Sequence, residues 1–237
     1  MGTVYLLTLR QLTGRWRLAI MTVLAAMPIG IAALIVNQRN APSVAEFEEA
    51  VLSAMLAGSI APLVVLAISA AALGNEVEDR TLANLVLAPL SRWRIALPKL
   101  LAVITIAAPF MAASAGLTAW VAFLGDPRAA VALVASALVG VAVYASVFVW
   151  LGLVSAQAVG VGLLYIVLWE GLFSQFVAGV RLLSIRFWAI AVMHGIDPRR
   201  FADLDHLPLA AALAVSAAVF GGFLLLTVRK LRRMDVP

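Results

Sequence analysis

Few side chains in this 237-residue chain are equipped for chemistry, and their positions are informative. One carboxylate, Glu170, stands inside the apolar run LLYIVLWEGLFSQF. A charge at bilayer depth costs about 2.5–3.5 kcal/mol on insertion scales, so such groups usually face a bundle interior or water. Three roles compete for it. It lines a transport path or binds substrate, it relays protons, or it caps a shortened helix and bonds backbone groups. The adjoining Gly171 points to a helix irregularity and favours the third role. His194 and His206 have Asp197, Asp203 and Asp205 nearby, but not at the spacing of a metal site. Ser, His and Asp all occur over 184–206 without the frame of a hydrolase motif, so no catalytic residue is assigned. Cysteine is absent, which excludes disulfides, thiol catalysis and cysteine metal sites. The only lysines are Lys99 and Lys230, and neither lies in G-x-x-x-x-G-K-[ST]. The chain therefore has no Walker A phosphate cradle.

A second group of polar residues is concentrated in Glu76–Arg92, EVEDRTLANLVLAPLSR. Glu76, Glu78 and Asp79 are predicted in the first turn of a short helix, where acids complement the helix dipole. Glu76 and Arg80 are spaced to pair along it. Leu82, Leu85 and Val86 share one face. Pro89 stops the helix near Ala88. Ser91 is the predicted N-cap of a second helix running towards Lys99. Arg92, Arg94 and Lys99 would hold that start at the cytoplasmic headgroups. A bare connector needs only a few polar residues. This one, over 75–98, is predicted to form a helical hairpin at the membrane surface with a charged face suited to docking.

The elements that must position these groups are apolar. Of all residues, 64% are hydrophobic and 12% charged, against about 25% charged in a soluble domain. The mean hydropathy is +1.06, so the lipid bilayer is the natural solvent for the excess. Six spans are predicted, at 18–36, 51–74, 99–124, 129–152, 157–178 and 208–228. The first is longer than the 7–15-residue core of a signal peptide and reads as a retained span. Before it, Tyr5, Leu6, Leu9, Leu12 and Trp16 alternate with Arg10, Arg15 and Arg17. That pattern fits an amphipathic helix in the cytoplasmic interface or an ordinary basic flank. Pro28, Pro62 and Pro109 fall inside spans, as membrane helices tolerate. Phe187, Trp188, Ile190 and Val192 add an apolar patch between spans five and six. The net charge is +5 and the pI about 10.4. Because the basic residues gather at the ends of apolar runs, they speak for membrane orientation and anionic headgroups, not nucleic acid. Counting Lys and Arg by side places both termini in the cytoplasm.

The pattern E-x-E-x-x-T-L-x-x-L-x-x-x-P-x-S-R with a following Lys is carried by Glu76, Glu78, Thr81, Leu82, Leu85, Pro89, Ser91, Arg92 and Lys99. It resembles the membrane subunit of ABC-2 type transporters, and the length and six-span layout are similar too. Arg80 stands where that family usually has Gly, which favours a continuous helix there, and Pro98 stands where it usually has Gly before the Lys. The resemblance implies an all-α permease with a coupling helix between spans two and three and short re-entrant helices after span five. It implies pairing with a second permease copy or homologue in the prokaryotic cytoplasmic membrane. It also implies docking on a separate ABC ATPase that holds ATP and Mg, the permease itself holding no cofactor. Few polar groups line the spans beyond Glu170 and Gln157, so a hydrophobic or amphipathic exported molecule is expected. Two rivals remain open: a proton-coupled secondary transporter using Glu170, and a membrane scaffold or sensor that moves nothing.

Overall fold

The computed structural model describes residues 2–38, 43–78, 91–155, 157–174, 178–202 and 206–233. Its regular elements are all helical. We number them α1 (Gly2–Leu12), α2 (Arg15–Val36), α3 (44–78), α4 (Trp93–Ala122), α5 (Pro127–Val154), α6 (Ala158–Phe173), α7 (Ile185–Ile196) and α8 (Leu209–Arg233). A single further turn spans Ala178–Arg181. Five helices, α2, α3, α4, α5 and α8, contain apolar stretches of 22 to 30 residues. At about 1.5 Å per residue these exceed a hydrocarbon core of about 30 Å. The chain has the build of a multi-span membrane protein.

Local chemistry sets the helix boundaries. Gly14, in an extended conformation, separates α1 from α2. The α4–α5 turn has Leu124 and Gly125 at positive φ, with the Gly125 N–H donating to the Trp120 carbonyl at 2.9 Å. That bond closes the helix end in the usual left-handed way. Asp126 then caps α5 by accepting from the Arg128 N–H at 2.9 Å, with Pro127 in the first helical position. Helix α3 changes register twice: α-helical over Val44–Phe47, π-helical over Glu48–Ile60, and α-helical again over Ala61–Glu78. The second change falls beside Pro62, which has no N–H to continue the wider ladder.

Helix α5 is the spine, packed against α3, α4, α7 and α8. Contacts along it fix the order of its neighbours. Arg128 binds the Ile196 carbonyl at 3.1 and 3.2 Å. Ser136 donates to the Ala189 carbonyl at 2.7 Å. The Phe148 ring meets Tyr165 edge-on at 6.1 Å. Helices α6 and α7 therefore run in succession along α5, antiparallel to it. At one end of the bundle Phe47, Phe123 and Phe201 form an edge-to-face ladder with centroids 6.2 and 5.8 Å apart. At the other end α3, α4 and α5 meet around Ala70, Ala72, Lys99 and Gly152.

Several sequence expectations change here. Within the predicted span 157–178, α6 has seven α-helical residues followed by nine π-helical ones, and residues 175–177 lie outside the described residues. Glu76 and Glu78 do not open a new helix. Helix α3 runs through them without a break, and the residues that follow Glu78 lie outside the described residues. Ser91 is not the N-cap of α4. Arg92 takes that position, and Ser91 contributes its carbonyl to the Arg94 N–H at 2.8 Å. The irregularity foreseen at Gly171 is present as the π-helical stretch Tyr165–Phe173. The N-terminal stretch is a helix of its own, docked on α4 through a Tyr5 hydroxyl bond to Thr105 at 3.0 Å, with Thr8 and Leu12 buried.

Candidate functional site

The junction between α6 and α7 gathers four buried polar side chains, Glu170, Ser174, Ser184 and Arg186. Glu170 is completely buried. One carboxylate oxygen accepts from the Tyr165 hydroxyl at 2.9 Å and from the Ile185 N–H at 3.0 Å. The other accepts from the Ser184 hydroxyl. The Ser174 hydroxyl donates to the Glu170 carbonyl at 2.5 Å. Ser184 is the N-cap of α7 and accepts from the Phe187 N–H. The carboxylate thus sits on the N-terminus of α7, where unpaired N–H groups and the helix dipole favour negative charge. At the ends of broken helices this seat suits an anionic ligand. Here the chain's own side chain fills it, which fits the capping role among the three considered for Glu170. Tyr144 on α5 is fully buried, and its hydroxyl has no partner within ordinary hydrogen-bonding geometry. It borders a cavity of about 10 Å³, room for one water and no cargo.

A second polar tie starts one residue further along α7. Arg186, nearly buried, donates through Nε and Nη2 to Ser53 at 2.9 and 2.6 Å and through Nη2 to Glu49 at 2.7 Å. Glu49 itself is largely exposed, so the pair reaches from the interior to the surface. The arginine stem crosses Gly58, where a Cβ would stand 2.9 Å from its Cδ. Both partners and Gly58 lie on the π-helical part of α3. The Arg186 tie was not legible as a site, because a lone arginine at the edge of an apolar run reads as a membrane-flanking charge. The only local signal was Ser184, an N-cap residue directly before the apolar patch Ile185–Val192.

The expected docking residues fall mostly elsewhere. Asp79, Arg80, Thr81, Leu82, Leu85 and Pro89 lie outside the described residues, and Glu76 and Glu78 are placed only as backbone of α3. Ser91 is exposed and Arg92 half-buried at the start of α4. Lys99 is not at the headgroups: it is 1% exposed and donates to the Ala72 carbonyl of α3 at 2.6 Å. Its stem is too deep in the α3–α4 contact to reach the surface. His194 and His206 stack with centroids 3.4 Å apart, and His194 Nδ1 lies 3.0 Å from the Phe201 carbonyl. Among the described residues no group of three metal-type ligands forms around them, and Asp203 and Asp205 lie outside those residues. No protein-family model matches the chain, and no curated protein matches it, so the functional assignment stands on sequence pattern and geometry.

Proposed function

We propose that the chain is the membrane permease subunit of an ATP-driven exporter of the ABC-2 type, with a separate ATPase docked on the segment 75–98. The observation that carries this proposal is the charged pattern from Glu76 to Lys99, set between two long apolar helices whose flanking ends are tied together by Lys99. The bundle geometry supports it. The ends of α3 and α4 that border this segment meet the C-terminal part of α5, which α8 also reaches through the Trp150–Phe223 ring contact, and the aromatic ladder marks the opposite end. In the proposal α6 and α7 together make a sixth, broken crossing, and α1 lies in the cytoplasmic interface. Irregular backbone at membrane depth is tolerated where protein covers it, and Glu170 and Ser184 are both fully covered. A second permease copy, or a homologue, completes the path. The whole assembly resides in the prokaryotic cytoplasmic membrane with both termini inside.

Glu170 being held by three donors argues against a proton-coupled carrier, since a relay group must exchange its partners during each cycle. The test is affinity purification of the tagged protein from native membranes in mild detergent. An ATP-binding subunit is expected to co-purify, and charge reversal at Glu76, Glu78 and Arg92 is expected to release it. Purification of the wild type without any ATPase, or unaltered transport by the reversed variants, would overturn the assignment.

A further inference from the structure

Lys99 lies in the second turn of α4, and its ammonium reaches across to α3. The Ala72 carbonyl that accepts it lies inside a helix, so the amine makes an additional, charge-assisted bond to a backbone acceptor. Burying a lysine strips a strongly hydrated head and freezes a long stem. The bond to Ala72 offsets part of this cost and is held in place by the helix that carries the carbonyl. Two residues earlier on α3, the Ala70 carbonyl is met by Gly152 of α5, where a Cβ would stand 2.8 Å from the oxygen. A Cβ on Gly74 would in turn stand 3.7 Å from the Gly152 carbonyl. Within one turn of α3, then, an amine from α4 and a glycine from α5 both touch its backbone.

We propose that Lys99 and Gly152 form a rigid joint that carries displacement of the α3 and α4 ends into α5. The inference rests on the proposal that the segment between those ends docks an ATPase. Contacts between small apolar residues resist sliding weakly, because one such surface replaces another with little loss of area. An ammonium–carbonyl bond in a low-dielectric interior is directional and is lost on displacement by an ångström or so. Gly152 then passes the motion on without a side chain whose rotation would absorb it. Because α5 packs along α7, the motion reaches the broken pair. Both residues are positioning residues and touch no cargo.

The cysteine-free sequence allows a direct test. Nitroxides at S91C and V154C, both exposed positions, straddle the joint. Double electron–electron resonance in lipid nanodiscs is expected to give one narrow distance in the otherwise unchanged chain. Lys99→Met is expected to spread it, Lys99→Arg to keep it narrow, and Gly152→Val to shift it outward. A Lys99→Met distribution as narrow as that of the parent would refute the joint whether or not an ATPase binds. A second label pair, V154C with R233C, reads transmission in the complex. ATP with vanadate is expected to shift this distance in the parent and not in Lys99→Met, with the ATPase still bound to both. A shift preserved in Lys99→Met would also refute the joint. If no ATPase co-purifies with the parent, the docking proposal fails and the first pair alone decides on the joint.

Discussion

At the scale of single residues, the buried carboxylate separates structural from transport chemistry. Glu170→Ala removes the acceptor for the Ile185 N–H and for the Ser184 and Tyr165 hydroxyls. Leaving those donors buried and unpaired costs about 1–3 kcal/mol each, so a loss of more than about 3 kcal/mol, or failure to fold, is expected. Thermal unfolding in detergent reads it. Glu170→Gln keeps an acceptor oxygen and is expected to fall between the two and to retain ATP-driven transport; a proton carrier would lose all transport with the same change. The two tyrosines offer a paired control. Tyr165→Phe breaks a bond and is expected to destabilise by about 1 kcal/mol. Tyr144→Phe removes a buried hydroxyl with no bond to lose, and little change is expected. Equal effects of the two substitutions would contradict the geometry around the carboxylate.

At the scale of elements, close packing at glycine fixes how the short helices lie. Gly162 of α6 sits beneath Leu66 of α3 with no room for a Cβ. Gly162→Ala is expected to destabilise by about 1–3 kcal/mol, as overpacking does. Adding Leu66→Ala should recover part of that loss, giving a clear coupling in a double-mutant cycle. Additive effects would show that the two helices do not meet there. The long helices were legible because a membrane span needs little more than about twenty apolar residues, and α2, α4, α5 and α8 supply them. What hydropathy could not show was where apolar sequence stops being one helix. The run 157–178 reads as a uniform span by composition, yet its middle is π-helical and the Glu170 carboxylate within it binds the start of α7. In the same way Glu76 and Glu78 looked like a helix start because acids favour N-termini, while the tertiary contacts of Ala72 and Gly74 carry α3 through them. The Arg186 tie to Ser53 and Glu49 joins residues more than 130 positions apart, and no local pattern encodes such a meeting. Gly58→Ala is expected to weaken that tie by crowding the arginine stem, to be read as lowered thermal stability; an unchanged melting curve would argue against it.

At the scale of the whole molecule, a bundle wrapped on α5 brings the ends that flank segment 79–90 together and leaves much of α2 and α8 exposed. Apolar faces of that size need lipid or a further copy to cover them. The function proposed for the bundle depends on the segment between α3 and α4 meeting an ATPase. The most direct measurement is in-cell photocrosslinking with a benzophenone amino acid at Leu85, with Leu124 on the opposite face, 89% exposed, as the control. An adduct with an ATP-binding protein at Leu85 and none at Leu124 is expected. No such adduct at Leu85, or the same adduct at both positions, would contradict the account.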